Sequence, residues 1–536
     1  MFTQRDCEGT YREEDCVLIE LRGDTAVAGD NSVIISGTTV TLTKEGVYLL
    51  SGTLTEGTLV IAVQDKEKVQ LVLKDAHIQN STDPCIYVES ADKVFVTLAE
   101  GTENTLTGGE SFSSGDAVLF SKADLTLNGA GSLTVTAPAG HAVTSKDDLV
   151  ITGGKYALSS ASHGLDANDS IRIKAGELTI HAGKDGIHAE NTEDGTLGFF
   201  YASGGDLKIE AEGDGVSAGA YMQITGGSFD ILAGGGSVNA SKDHSDNWGG
   251  MGGPGRRDAQ NTTTEDSASS MKGLKSGGDM ILSGGNFTMD CADDAVHSNA
   301  SMVVSSGEFT VATGDDGFHA EETLSITGGN IVVTESYEGL EAHHIQVQDG
   351  NIRLTCTDDG LNAAGGVDSS GTDGGRDGMY GRPGGGGPGG MGGNSDGSVV
   401  ITGGTLYIKS SGDGIDANGT LTISGGHVTV VGPTQGDTAT LDYDVSGVIT
   451  GGTFIGTGST FMAQSFSDSQ QGVIALRVGT QPAGTQIILT DSEGNVLISC
   501  APELDFAVVI LSSPDIEKGK TYSLSVGTQN GSFEAS

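Results

Sequence analysis

Acidic residues recur at one position of a repeating pattern in this chain: Asp293-Asp294, Asp315-Asp316, Glu338 and Asp358-Asp359, at near-equal steps along the sequence. If equal positions of successive repeats stack at the strand spacing of ~4.8 Å, neighbouring carboxylates come close together. Two bare charges about 5 Å apart repel by roughly 3 kcal/mol even at an effective dielectric of about 20. Either the carboxyl groups take up protons or a cation sits among them. Ca2+ takes roughly six to eight oxygens in flexible geometry, which paired carboxylates and turn carbonyls supply. These acids are the candidate calcium ligands; a solvated acidic turn is the plainer alternative.

Three residues beyond the acidic position, a second position reads Asp166, His188, Ser217, Asn239, Lys275, His297, His319, Glu341, Asn362 and Asp416. Lys275, His297, His319, Glu341 and Asn362 on it would form an outward polar face able to hydrogen-bond sugar hydroxyls along an extended chain. An ordinary exposed strand face reads the same way. His297 and His319, with Lys and Glu as neighbours, are a poor zinc set. The only Trp, Trp248, and Tyr380 lie in glycine-rich stretches with Arg256, Arg257, Arg376 and Arg382, in a chain with 27 basic residues. Aromatic faces beside guanidinium groups suit stacking on sugars and pairing with uronate carboxylates. No GxSxG, HExxH, P-loop or dinucleotide fingerprint stands in a credible context.

The elements that must position these residues follow from the period. The turn position falls at Asp116, His141, His163, Asp185, Asp214, Gly236, Lys272, Asp294, Asp316, Glu338, Asp359 and Asp413. Most steps are a single repeat, and most of the others are a repeat plus an insertion. Counted from Asp316, apolar residues stand at Phe318, Ala320, Leu324, Ile326, Ile331 and Val333, with Gly328-Gly329 between the last two pairs. Each repeat is thus three short runs of period-2 alternation, with the glycine pair at a corner. This predicts an all-β fold, a right-handed single-stranded parallel β-helix of about 22 residues per coil. Residues 1–60 read as an N-terminal cap and entry strands, and 61–467 as the coils. Inserts at 241–271 and 366–397 leave after Ala240 and Ala363, and 468–536 read as a small C-terminal antiparallel β module.

Composition narrows the function. The chain is 36% hydrophobic and 5% aromatic with 87 Gly, thin material for several compact cores and suited to one narrow extended core. A net charge of −45 argues against nucleic acid or an anionic membrane as partner. No stretch approaches the ~20 apolar residues of a membrane span. The opening MFTQRDCEGT has no apolar core of a leader, so any signal or anchor segment is expected outside this chain. The six cysteines show no metal-site spacing; Cys7 and Cys16 are either a pair or free thiols.

The phrases "DDGFHAE", "DDGLNAAGG" and "GDGIDANG", the "ITGG" corners, the glycine-rich inserts, the "FTQRD" opening and "LDYD" at 441–444 carry a resemblance. The chain resembles the bacterial secreted carbohydrate-binding parallel β-helix proteins that bind cellulose and polygalacturonate and hold calcium, relatives of pectate lyases. The resemblance implies a secreted or cell-surface location, Ca2+ as cofactor, and binding of plant cell-wall type polysaccharide without demonstrated catalysis; a monomer is expected. In the lyases an acidic phrase holds calcium and a later lysine is the base. "KGLKSGG" at 272–278 is similar to the lysine phrase and places Lys275 there, but the repeat before it reads "GGSVNAS", with Gly236, Ser237 and Asn239 in place of carboxylates. A polysaccharide-binding protein is therefore expected first, a calcium-dependent polyuronate lyase second, and a structural adhesin or spacer third.

Overall fold

The computed structural model describes residues 1–240, 270–364, 396–434, 436 and 438–536. The inserts fall largely outside these residues, and Trp248, Tyr380, Arg256, Arg257, Arg376 and Arg382 with them. Apart from three short 3-10 turns, the regular elements of the described chain are β-strands.

Alternation decides which side chains go in. In Met302–Thr313, Met302, Val304, Phe309 and Val311 are buried, while Val303, Glu308 and Thr310 face out. The neighbouring strand shows the same pattern one repeat earlier, with Met302 opposite Met280 and Phe309 opposite Phe287. Like residues therefore stack on like: the rings of Phe229, Phe287 and Phe309 lie 5.0 and 4.5 Å apart in near-parallel planes. Such columns join into one continuous apolar core running from Ile19 to Ile510.

The pairing corrects the expected right-handed single-stranded parallel β-helix. Ten strands close a ring of parallel pairings, and many further strands surround it in a 40-stranded sheet. Lys68–Gln79 pairs with Lys93–Leu98, and pairing then passes through Asp124–Gly129, Asp148–Ile151 and Ser170–Ile173 to Phe199–Ala211. It returns through Glu177–Ala182, Lys155–Ser160, Ser132–Ala137 and Glu103–Thr107 to Lys68–Gln79. The ring closes because its two end strands are long enough to serve two faces.

Corner residues with positive φ explain those long strands: Asp75, at 54°, in Lys68–Gln79 and Gly205, at 99°, in Phe199–Ala211. Gly205, Gly227, Gly285, Gly307 and Gly329 have φ between 99° and 132°, and the ladders shift register at such points, as between Leu282 and Asn286. A residue with no Cβ lets the backbone bulge through the corner without breaking the ladder. Phe318–Glu335 consequently runs for 18 residues where three short strands were expected.

A second correction concerns the first insert. Gly234, Gly235 and Gly236 have φ of 61°, 75° and 90°, and the chain leaves the ladder there, before Ala240. Val216–Ala218 then pairs directly with Leu274–Ser276. The phrase at Gly236 resembles a repeat only in composition: Ser237–Asn239 is a 3-10 turn, its entry fixed by Ser237 N–H donating to Asp290 at 2.6 Å.

The sheet also has antiparallel members. Val17–Gly23 pairs with Ala26–Ala28, and Val33–Ser36 with Thr39–Leu42, near the N-terminus. At the other end Phe506–Ser512 bridges Thr453–Gly458 and Val473–Gln481. A separate four-stranded antiparallel sheet is built from Ile487–Thr490, Val496–Cys500, Thr521–Val526 and Gln529–Glu534. All six cysteines are free thiols.

Candidate functional site

The acidic position is part of the backbone's own hydrogen bonding. Each of several carboxylates accepts the amide N–H of the turn in the following repeat: Asp185 from Asp214 at 2.8 Å, Asp214 from Lys272 at 2.8 Å, Asp294 from Asp316 at 3.0 Å and Asp359 from Asp413 at 2.5 Å. Carboxylates so placed are forced close together, as the period requires, and the remaining question is what balances them.

Over Asp214 to Asp316 the balance comes from side chains. The Lys272 ammonium, 1% exposed, lies 2.6 Å from Asp294 and 3.1 Å from Asp293. Burial alone would raise the Asp294 carboxyl, but Lys272 and the His297 hydrogen bond hold it well below the usual range. His297 Nδ1 lies 2.7 Å from the Asp294 carboxylate, with its other nitrogen 2.8 Å from the Asn299 side-chain oxygen. His319 lies 3.2 Å from Asp316 and 2.9 Å from Glu341. These acids outweigh burial and lift its pKa well above that of a free imidazole. Lys275 is half-buried, its ammonium 3.6 Å from Asp214 and 3.0 Å from the Ser270 hydroxyl.

From Glu338 onward the balance is missing: among the described residues no Lys, Arg or His is ion-paired with Glu338, Asp359, Asp413 or Asp416. Carboxylate oxygens of Asp359, Asp413 and Asp416 converge within 4.8 Å of one another. One Glu338 oxygen accepts from the Asn362 amide at 3.0 Å; the other is buried with no hydrogen-bond partner. Burial, followed by the mutual repulsion of the acids, pushes Glu338 and Asp359 well above the usual carboxylate range. Burial likewise takes Asp413 to about 7 and Asp416 to about 6, with Asp416 and Asp442 as the respective acidic neighbours. Hard, anionic oxygens that repel one another and leave one oxygen unsatisfied fit a Ca2+-type cation.

The expected ligands therefore divide. Asp293, Asp294 and Asp315 form one cluster that already contains the Lys272 ammonium, and Asp316 groups with His319 and Glu341. Glu338 and Asp359 belong to the cation-poor group, and Asp358 sits beside it at the same turn. Asp413 and Asp416 complete that group and were not among the expected ligands, although Asp413 shares the turn position of Asp359. The polar face is also corrected in its setting: His297, His319, Glu341 and Asn362 are 7% exposed or less. His297, His319 and Glu341 are buried in ion pairs, Asn362 donates to Glu338, and of these five residues only Lys275 retains substantial access.

The lysine phrase changes its meaning with the corrected pairing. The repeat directly before Lys275 is the one containing Asp214, since Ser217 and Lys275 are ladder partners. A further cluster stands upstream, where the rings of His141, His163 and His188 stack at 5.0 and 4.3 Å beside Asp166 and Asp185.

A family model described as carbohydrate-binding domain-containing protein matches residues 36–317 and 315–481. A carbohydrate-binding domain-containing protein of Acetivibrio thermocellus is 34% identical over 133 residues, 24% of this chain and 46% of that protein. The match thus spans about half the length of that relative. A solved structure described as a polysaccharide lyase-like protein from C. thermocellum, gadolinium derivative, is 31% identical with a TM-score of 0.39, covering 41% of this chain and 92% of that one.

Proposed function

The chain belongs to the carbohydrate-binding domain-containing protein family, and from that premise we propose that it is an extracellular protein that binds plant cell-wall type polysaccharide, cellulose- and polygalacturonate-like, with the help of Ca2+. The observation that carries the calcium reading is the convergence of Asp359, Asp413 and Asp416 beside a buried, unsatisfied Glu338 oxygen. Asp359, Asp413 and Asp416 would hold the ion, with Glu338 as an acidic neighbour one repeat earlier. A bound ion would add positive charge for engaging a polyuronate on a protein whose net charge is −45. The chain's own residues fix the carboxylates through the turn amides and exclude water from Glu338.

Retention on insoluble polygalacturonate, with and without chelator, tests the reading. Chelation is expected to weaken retention by tenfold or more, on the order of 1.4 kcal/mol, and Asp413→Asn should reproduce the loss and remove calcium uptake in calorimetry. Retention unaffected by chelator, together with no calcium uptake, would sink the calcium reading.

One observation favours a second reading, a calcium-dependent polyuronate lyase with Lys275 as base. Lys275 follows the Asp214 repeat directly, with its amine 3.6 Å from that carboxylate, so an acid-then-lysine order exists after all. The expected result is nonetheless no ultraviolet-absorbing unsaturated product from polygalacturonate. Product formation abolished by Lys275→Ala would promote the lyase over the binding protein.

A further inference from the structure

An open groove of about 510 Å³ lies on a different face from the acidic position, between the repeat that ends at Ala233 and the one that follows the first insert. One wall is Tyr221. Its ring is backed by Phe199, with centroids 4.8 Å apart and planes 8° from parallel. On the next rung stands Asp279, whose carbonyl accepts the Met222 N–H at 3.1 Å and whose side chain is exposed. Among the described residues no second ring stacks on Tyr221. One ring face is thus held flat by a neighbour and the other bounds the groove.

The floor is kept low by the packing itself. A Cβ on Gly277 would meet the Gly219 carbonyl oxygen at 2.1 Å, so the rungs can stack here only with glycine. The rim carries the Gln223 amide and the Asp279 carboxylate. The ladder through Gln223 continues to Ile281 and Val303, which are 41% and 36% exposed. With rungs at ~4.8 Å, the aromatic and aliphatic surface extends for about 10–15 Å, the length of a short oligosaccharide rather than one sugar.

We propose that this groove is a glycan subsite for an uncharged pyranose chain, stacked on Tyr221 and hydrogen-bonded by Asp279 and Gln223. The inference rests on the polysaccharide-binding reading above and deepens it. A rigid aromatic ring offers a flat apolar surface to the C–H face of a sugar at low entropic cost. A carboxylate beside it accepts charge-assisted hydrogen bonds from hydroxyls. Charge selects the occupant: among the described residues Asp279 is the only charged one lining the groove, so a uronate would set like charge against it, whereas a neutral glycan would not. The groove therefore divides labour with the calcium ligands, taking neutral stretches while they take acidic ones.

The test is titration calorimetry of the full chain with an unbranched β-1,4-linked glucose hexasaccharide, alongside calcium-dependent retention on polygalacturonate. Tyr221→Ala should weaken the hexasaccharide about tenfold and Tyr221→Phe should keep affinity within about twofold, because the ring and not the hydroxyl is used. Polygalacturonate retention should be unchanged in both variants, which also certifies their folding. Equal hexasaccharide affinity of Tyr221→Ala and the native chain overturns the subsite. A native chain that retains polygalacturonate yet ignores the hexasaccharide overturns it too, leaving the wider reading intact. If neither glycan is bound, both fall.

Discussion

In the presence of chelator, the thermal midpoint is expected to fall as pH rises from about 5.5 to 7.5, the reverse of the usual behaviour of carboxylate-rich proteins. The sign follows from the cation-poor acids. Glu338, Asp359, Asp413 and Asp416 all have folded-state pKa values above the ordinary 3.8 to 4.5, Asp413 at about 7 and Asp416 at about 6. Acids raised in this way stabilise the fold fully below the ordinary carboxylate range, and that stability is lost as pH climbs through the raised values. For Asp413 alone the displacement corresponds to on the order of 4 kcal/mol. His163, which burial and the flanking imidazoles depress to about 3, acts in the opposite direction, mainly below the ordinary imidazole value of 6.5. Asp413→Asn should flatten the slope, and saturating Ca2+ should abolish or invert it, because the ion needs deprotonated ligands. A midpoint in chelator that is flat or rising across this window would show that the acids are balanced by something else.

Replacing Lys272 with Met should destabilise the protein by about 3–5 kcal/mol, the cost of leaving buried carboxylates without their counter-charge. The ammonium is 1% exposed and touches Asp293 and Asp294 at 3.1 and 2.6 Å, so solvent cannot substitute for it. Because repeats contact chiefly their neighbours, the loss should be local first, seen as faster amide exchange from about residue 272 to 316. Calcium should recover part of the loss in the variant while doing little at that position in the native chain. A change under about 1 kcal/mol would mean that the pair is no more than a surface salt bridge in energetic terms.

Much of the architecture is legible in the chain. The repeat period and the alternation counted from Asp316 place Phe318, Ala320, Leu324, Ile326, Ile331 and Val333 inward, and all six are buried in the one long interior. Strand length is not legible. Gly284-Gly285 and its equivalents read as breaks, yet a glycine with positive φ carries the ladder round the corner; of the two long strands that close the ten-membered ring, Phe199–Ala211 turns at Gly205 and Lys68–Gln79 at Asp75. The "GGSVNAS" phrase misleads for a related reason, since three glycines with positive φ both mimic a repeat and end one.

At the site, columns reveal neighbours along the axis but not what lies beside them. Lys272 is visible one repeat before Asp294 in the same column, but that its ammonium is buried against Asp293 and Asp294 is not. For the same reason His297 and His319 look exposed until their burial is known. The equivalence of Asp413 to Asp359 is read from the turn position, but the expected ligands stop at Asp359; the amide that Asp413 donates to Asp359 shows that the two are adjacent.

The exit at Gly234–Gly236 has a consequence for how such a protein can diversify. Since Ser217 and Lys275 are ladder partners regardless of what lies between, the segment after Gly236 is a graft held at two fixed points. Closing a loop between fixed ends costs only about 0.6 kcal/mol per doubling of its length. Passenger sequence can therefore be lengthened, shortened or exchanged between these two anchors at little cost to the scaffold. Ligand preference could drift through that graft while the stacked repeats stay under separate, purely mechanical selection.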